Sequence, residues 1–358
     1  MMKRFPFLIL FFISLFAVSQ SNSSLNTENT KETATSKQIL DSLNHNDGPY
    51  IFIDKDNLIE KNIINNRVEI KTARFNTINT EFKADQSIYH NVSKIAVISD
   101  THGQHDLTLK ILKNNNIIDD KLNWAFGKGH LVIVGDIFDR GAKVTELLWF
   151  VYNLENQALN NGGKVHFILG NHEVMVMQND LRYINKKYWL TSKLLEMPYN
   201  ELYGKETVLG RWLRSKPTVL KIDDNLFLHA GISEEFISSD FDLEETNKQM
   251  RQSLIEDNNE PKWHSLYDKY YDNNGPIWYR GYFSEDFKKK DLNKLLRKLD
   301  VKHIIVGHTS QKQIESLFKN KILAVDSSIK NGLYGEILFI ENGKYYRHTM
   351  DGEITKLD

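Results

Sequence analysis

The sequence predicts an α/β domain, and three observations carry that expectation. From Lys94 onward short β-rich runs alternate with helical stretches. Five of those runs stop in glycine-flanked Asp, Asn and His residues. The chain has 358 residues, 41% hydrophobic and 26% charged, which lies in the globular range and leaves room for one large domain or two small ones. Lys and Arg number 46 against 47 Asp and Glu, a formal charge of -1, so nothing global draws the chain to nucleic acid or to anionic lipid. Cys is absent, which excludes disulfides, thiolate metal sites, iron–sulfur clusters and a Cys nucleophile together. Any metal must then sit on His, Asp, Asn or Glu.

Met1 to Arg4 is basic and Phe5 to Val18 is an apolar run of about 14 residues, shorter than the roughly 20 that a spanning helix needs. With Ala17 and Ser19 as the small residues before a cut after Ser19, residues 1–19 read as a secretory signal peptide, and an uncleaved anchor is the alternative. The mature chain is therefore expected to be exported, periplasmic or secreted, with no membrane span after cleavage. Residues 20–47 are Ser, Thr, Asn, Lys and Glu with few large apolar side chains, too few to offset the entropy of ordering, and read as a flexible leader. Residues 48–90 read as a small β-rich element. Tyr50 to Ile53 and Arg67 to Lys71 form its expected strand pair, with the turn-like Asn65-Asn66 before the second. Residues 91–358 make the main domain.

Within it the expected strands are Ile95–Ser99, Leu131–Gly135, Val165–Leu169, Thr218–Ile222, Leu226–His229, His303–Gly307 and Ile322–Val325. Two further runs, around Ile337–Ile340 and Tyr345–Thr349, flank Asn342-Gly343, a strong hairpin turn. The first run ends in Asp100-Thr101-His102-Gly103 and the second in Gly135-Asp136-Ile137-Phe138-Asp139-Arg140-Gly141. The third ends in Gly170-Asn171-His172-Glu173, the Leu226 run in His229-Ala230-Gly231, and the His303 run in Gly307-His308-Thr309. In open α/β sheets ligands bind at the carboxyl ends of the strands, where elements buried on both faces hold the following loops rigidly. A lone Asp-x-His is usually a turn, and a lone Asn171 would serve equally well as a helix cap. Gly-Asp-x-x-Asp-Arg-Gly is harder to dismiss: it fixes five residue types in seven positions, a chance match on the order of 10⁻⁴ to 10⁻³ over this length.

Together, and in this order, these segments resemble the calcineurin-like metallophosphoesterases, and among them the phosphoprotein phosphatases. The family pattern is Gly-Asp-x-His-Gly, Gly-Asp-x-x-Asp-Arg-Gly, Gly-Asn-His-Glu, His-Gly-Gly and a last His. Here Ser99 replaces the first Gly and Ala230 the middle of His-Gly-Gly, and neither change removes a side-chain ligand. The resemblance spans about Val92 to Ser328. Gly275-Pro276-Ile277-Trp278-Tyr279-Arg280-Gly281 and the leader look most like the Shewanella-like branch, which includes bacterial protein-tyrosine phosphatases. The resemblance implies the calcineurin-like sandwich of two β-sheets flanked by helices. It also implies two divalent metal ions: Asp136 as the bridge, Asp100 and His102 completing the first site, and Asn171, His229 and His308 completing the second.

The residue types agree with that chemistry. Asp, His and Asn are N/O donors suited to Mn, Fe or Zn, and two such ions about 3.5 to 4 Å apart form a template for in-line phosphoryl displacement. The hydroxide shared by the ions is then the expected nucleophile. His172 is the best general acid for the leaving oxygen, with Asp139 to hold its ring. Arg140 and Arg280 would clamp the phosphoryl oxygens, and Asn171 would also face them.

The expected partner is a phosphorylated protein, on tyrosine or on serine/threonine, or a small phosphomonoester, with no nucleic acid. Gly307-His308-Thr309-Ser310 lacks the second His of the Gly-His-x-His found in many phosphodiesterases of the superfamily, which favours a monoesterase. A diadenosine-polyphosphate or other phosphodiester hydrolase is the alternative, and a non-catalytic metal- or partner-binding protein a distant one. His105, Arg211, Arg214, Trp278 and Tyr279 could reach the site, although solvated, snorkelling or packed roles suit them as well. His130, His166 and His303 fall in or beside strands and read as structural.

Overall fold

Strands that are apolar on both faces must be covered on both, and this chain meets the requirement by stacking two sheets and laying helices outside them. The computed structural model describes residues 44–74, 78–238, 241–254 and 269–358. The expected signal peptide and the leader as far as residue 43 lie outside them. The compact unit that holds the site runs from His45 to Asp358. His45 and Asp47 are buried in it, so the polar leader ends a few residues earlier than the sequence suggested.

The first element is β1 (Asp47–Asp54), β2 (Asn57–Ile64) and β3 (Arg67–Arg74), an antiparallel three-stranded sheet where a strand pair was expected. The added strand β2 reads Asn-Leu-Ile-Glu-Lys-Asn-Ile-Ile and shows no clean alternation, because most of it is only half-buried. The turns before β2 and β3 place Lys55, Asn65 and Asn66 in the left-handed region. Trp149 Nε1 donates to the Pro49 carbonyl at 2.7 Å and Thr191 Oγ1 to Asp47 Oδ2 at 2.6 Å, which ties this element to the rest.

The remaining strands are β4 (Ile88–Tyr89), β5 (Lys94–Ile98), β6 (His130–Ile133), β7 (Lys164–Phe167), β8 (Val219–Ile222), β9 (Asn225–Leu228), β10 (His303–Val306), β11 (Glu315–Leu317), β12 (Ile322–Ala324), β13 (Glu336–Glu341), β14 (Lys344–Thr349) and β15 (Ile354–Leu357). They form two six-stranded mixed sheets, ordered β15-β14-β13-β5-β6-β7 and β11-β12-β10-β9-β8-β4. The strands β5, β6 and β7 run parallel to one another, as do β9, β10 and β12. The β13–β14 hairpin turns at Asn342-Gly343, both left-handed, as the sequence predicted.

The period-2 pattern sorts the two layers of core. Val97, Val132, Phe227, Ile305 and Leu323 fill the space between the sheets, while their neighbours Ala96, Ile98, Leu131, Ile133, Leu226 and Val306 face outward. Covering helices include α1 (His105–Asn114), α2 (Val144–Asn160), α3 (Asn171–Met177), α4 (Lys186–Leu194), α5 (Val208–Arg214), α6 (Leu243–Ser253) and α7 (Lys289–Leu299). The helix α7 buries Leu292, Leu295, Leu296 and Leu299, one stripe at helical spacing. Each fully buried leucine contributes about 1.5–3 kcal/mol over leaving it in water, so the frame that carries the loops is stiff. Among the described residues no helix is long and apolar enough to cross a membrane.

Candidate dimetal active site

Every predicted site residue except Asp139, Arg140 and Arg280 lies within five positions of the end of a parallel strand. Asp100 and His102 follow β5, Asp136 follows β6, and Asn171 and His172 follow β7, all from one sheet. His229 follows β9 and His308 follows β10, from the other. The ladder of the first sheet continues past its strands. Asp100 N donates to Gly135 O at 3.1 Å, His102 N to Asp136 O at 2.9 Å and Gly103 N to Ile137 O at 2.8 Å, so the loops are sewn together rather than free.

The side chains converge on one atom. His172 N donates to Asp136 Oδ1 at 3.0 Å, leaving Oδ2 to face three imidazoles: His229 Nε2 at 3.3 Å, His102 Nε2 at 3.6 Å and His172 Nε2 at 3.8 Å. Two groups of potential metal-binding side chains share Asp136: His102, Asp136 and His172, and Asp136, His229 and His308. Asp100 stands beside the first group, Oδ1 at 3.9 Å from His102 Nε2, with Oδ2 held by His308 N at 2.9 Å and by Ser99 Oγ. Asn171 Oδ1 completes the second, 2.9 Å from His229 Nε2, while His308 Nδ1 lies 3.1 Å from that same nitrogen.

The donor set fits divalent cations. A backbone carbonyl can only accept, so the 2.7 Å contact of His102 Nδ1 with Phe138 O and the 2.8 Å contact of His229 Nδ1 with Val134 O fix both rings with Nδ1–H donating. Each Nε2 then offers its lone pair inward. Asp136 Oδ2, Asn171 Oδ1 and His308 Nδ1 offer theirs to the same spot, and buried His308 Nε2 has no partner among the described residues. Acceptors facing acceptors about 3 Å apart repel unless a cation sits among them, and in its absence a proton takes that role. Burial opposes a charge on His229, but Asp136 outweighs it and raises the ring to about 10. Asp136 itself, disfavoured as an anion by burial, is held well below the carboxylate range by His229 and His172. Burial and then His229 press His308 down to about 2, and burial presses His102 to about 3.

His172 and Asp139 form the expected pair, with Nδ1 against Oδ2. Burial works against the imidazolium, yet the carboxylates of Asp136 and Asp139 prevail and raise its pKa from the ordinary imidazole value, which favours the charged ring. Its Nε2 edge opens on a cavity of about 100 Å³ lined by Asp100, His102, Asp136, Asn171 and His308, with Arg140, Arg280, Tyr183, Trp278 and Lys330. Arg140 stacks on Tyr183 at 5.3 Å, and Arg280 donates to His308 O at 3.0 Å and Thr309 Oγ1 at 3.1 Å. A larger cleft of about 770 Å³ beside Met177, Pro198 and Arg214 contains none of the expected metal ligands, the acid pair or the phosphate-clamping arginines.

The backbone here departs from ordinary conformations. Asp100, His102, Asp136, Asp139, Arg140 and His308 have φ between 42° and 71°, the left-handed region, which costs a non-glycine residue about 1–2 kcal/mol. Close approach supplies the reason for two glycines. A Cβ on Gly170 would meet Asp136 Oδ1 at 2.2 Å, and one on Gly307 would meet Ser99 Oγ at 1.9 Å.

Sequence reasoning passed over Glu173. Completely buried, its carboxylate accepts from the backbone N–H of Ile137 at 2.7 Å, Asp136 at 2.9 Å, Phe138 at 3.3 Å and Gly170 at 2.7 Å. It thus clamps the β6 loop to the start of α3. An acidic residue three positions after the N-cap is the available signal. Glu173→Gln turns an amide N–H₂ toward N–H groups, and it is expected to cost about 2–5 kcal/mol. A chemical-denaturation midpoint equal to that of wild type would refute that role.

Other candidates fall elsewhere. Arg211 pairs with Glu81 and Glu206, Arg214 bonds the Tyr203 and Gly210 carbonyls, His105 bonds Asp106, and Tyr279 packs on Tyr282. Trp278 alone of these lines the cavity, its ring edge-on to His308. His130 and His166 bond each other, and His303 bonds Asn320 O, all structural as expected.

Residues 93–312 match the family model described as calcineurin-like phosphoesterase. The crystal structure of the cold-active protein-tyrosine phosphatase of a psychrophilic Shewanella species superposes with a TM-score of 0.84 at 41% identity, covering 87% of this chain and 99% of that one. Shewanella-like protein phosphatase 1 of Plasmodium berghei is 26% identical over 279 residues, 74% of each chain. Shewanella-like protein phosphatase 2 of Arabidopsis thaliana is 26% identical over 69% of this chain and 74% of its own.

Proposed function

We propose, from the premise that the chain belongs to the calcineurin-like phosphoesterases and is a metal-dependent phosphatase, that it is a protein phosphatase acting on phosphotyrosine. The observation that carries this reading is the 41% identity over 87% of the chain to a protein-tyrosine phosphatase, in company with a complete set of converging donors. Asp100, His102 and Asp136 would hold one divalent ion and Asp136, Asn171, His229 and His308 the other, of the Mn, Fe or Zn class. Such a pair, when bound, supplies polarisation of the phosphoryl oxygens and activation of the attacking water.

The chain's own residues do the rest. Arg140 and Arg280 face the cavity and orient the phosphoryl group, with the Asn171 side chain alongside. As an imidazolium, His172 keeps its Nδ1–H on Asp139 and gives its Nε2 proton to the leaving oxygen as the P–O bond breaks, ending as the neutral ring. The cavity is small enough for the phosphoryl group to fill, and Tyr183 and Trp278 are the aromatic side chains of its lining against which a leaving group would pack. Export of the chain is part of the proposal, on the strength of residues 1–19, and a mature N-terminus other than Gln20 would contradict the cut assigned there.

The test is a comparison of kcat/KM on phosphotyrosine peptide, phosphoserine peptide and diadenosine tetraphosphate. Phosphotyrosine is expected to lead. A dinucleotide turned over faster than either peptide would replace this reading with the polyphosphate-hydrolase one.

A further inference from the structure

We propose that Lys330 is a third cation of the phosphate site and the residue that favours dianionic phosphomonoesters over monoanionic phosphodiesters; this deepens the phosphatase reading and rests on it. Lys330 lines the same small cavity as Arg140 and Arg280. None of the three forms an ion pair with a carboxylate among the described residues. Elsewhere in the chain the inward-facing lysines do: Lys216 holds Asp85 and Glu155, and Lys187 holds Asp47 and Glu146. Three cations without a direct carboxylate partner thus share a space of about 100 Å³ with Asp100 and Asp136, the side chains that would face the metal ions, and leave positive charge for a second negative charge on the phosphate.

The position of Lys330 is built. It sits in a short 3-10 turn, Ile329–Asn331, between left-handed Ser328 and Gly332, with φ of 63° and 72°. Gln104 Nε2 donates to the Lys330 carbonyl at 2.9 Å, which staples this turn to the loop that carries Asp100 and His102. A Cβ on Gly332 would press on Gln104 Oε1 at 2.9 Å, so the staple needs that glycine. The Lys330 ammonium donates to Ser310 Oγ, and Ser310 Oγ donates to Asp326 Oδ2 at 2.5 Å. Ser310 adjoins Thr309, to which Arg280 is bonded, so Arg280 and Lys330 grip successive residues of one loop and present their charges to one space. A monoester at neutral pH carries one negative charge more than a diester, and an added cation rewards that charge.

The test is the ratio of kcat/KM for para-nitrophenyl phosphate to that for bis(para-nitrophenyl) phosphate in the full chain. Lys330→Gln keeps a donor for Ser310 and removes the charge. It is expected to lower the ratio about tenfold, and to weaken inhibition by inorganic phosphate about as much, the scale of one partly screened charge contact. Lys330→Arg is expected to keep the ratio within about threefold of wild type. Lys330→Met serves as a second neutral variant should the glutamine disturb folding. Equal losses on both esters, or none on either, overturn the proposal, since a structural role lowers the two together. A wild-type chain inert to both esters would sink the phosphatase reading itself, whereas an unchanged ratio in an active Lys330→Gln variant sinks this inference alone.

Discussion

Asp136→Asn is expected to lower phosphatase turnover by at least about 10³-fold, the equivalent of roughly 4 kcal/mol of charge stabilisation lost. Oδ1 of Asp136 accepts from His172 N, so in the variant the amide oxygen must stay there to keep that bond. The amide N–H₂ then takes the place of Oδ2, the carboxylate oxygen that faces His102, His172 and His229, and a neutral donor that cannot ligate replaces the anionic atom common to both groups. One substitution thereby spoils both groups of ligands. Metal content measured on the purified variant should fall together with activity. Full metal occupancy with wild-type turnover would remove Asp136 from the centre of the site.

His172→Ala should retain metal and lose turnover by about 10²–10³-fold on phosphotyrosine and phosphoserine, with a smaller loss on para-nitrophenyl phosphate. The nitrophenolate departs as a stable anion and needs little help from an acid, whereas an alkoxide or an ordinary phenolate must be protonated. Asp136 and Asp139 raise the pKa of His172 against burial and so favour the protonated acid, and the contribution is lost as pH climbs past the raised value. Leaving groups of graded acidity, assayed on one preparation, decide the matter. Parallel losses across the series would leave His172 without its acid role.

Much of this site was legible because the strands are buried on both faces. Ile95-Ala96-Val97-Ile98 and Leu131-Val132-Ile133 cannot hide a polar residue, so the first Asp, Asn or His after each marks where the sheet stops and function begins. The same rule, applied to β12, would have pointed to Asp326 and from there to Ser310 and Lys330, but Asp-Ser-Ser reads as an ordinary loop. The strand β2 was missed for the opposite reason: half-buried and carrying Glu60, Lys61 and Asn62, it has no apolar face to announce it. The left-handed Asp100, Asp136 and His308 were invisible as well, because tertiary bonds impose that backbone and no residue type there advertises it. Glu173 was in view within Gly-Asn-His-Glu, yet three of its four backbone acceptances depend on the β6 loop, 35 or so positions upstream.

The origin of the donors in both sheets has a thermodynamic consequence. Asp100 and His308 are 208 positions apart along the chain, and a denatured polymer cannot gather them. Cations that recognise only the closed arrangement therefore act as a free-energy reservoir for folding, growing as RT ln(1 + [L]/Kd). A strong chelator in the medium would drain that reservoir, and the melting temperature of this enzyme would report the supply of metal around it.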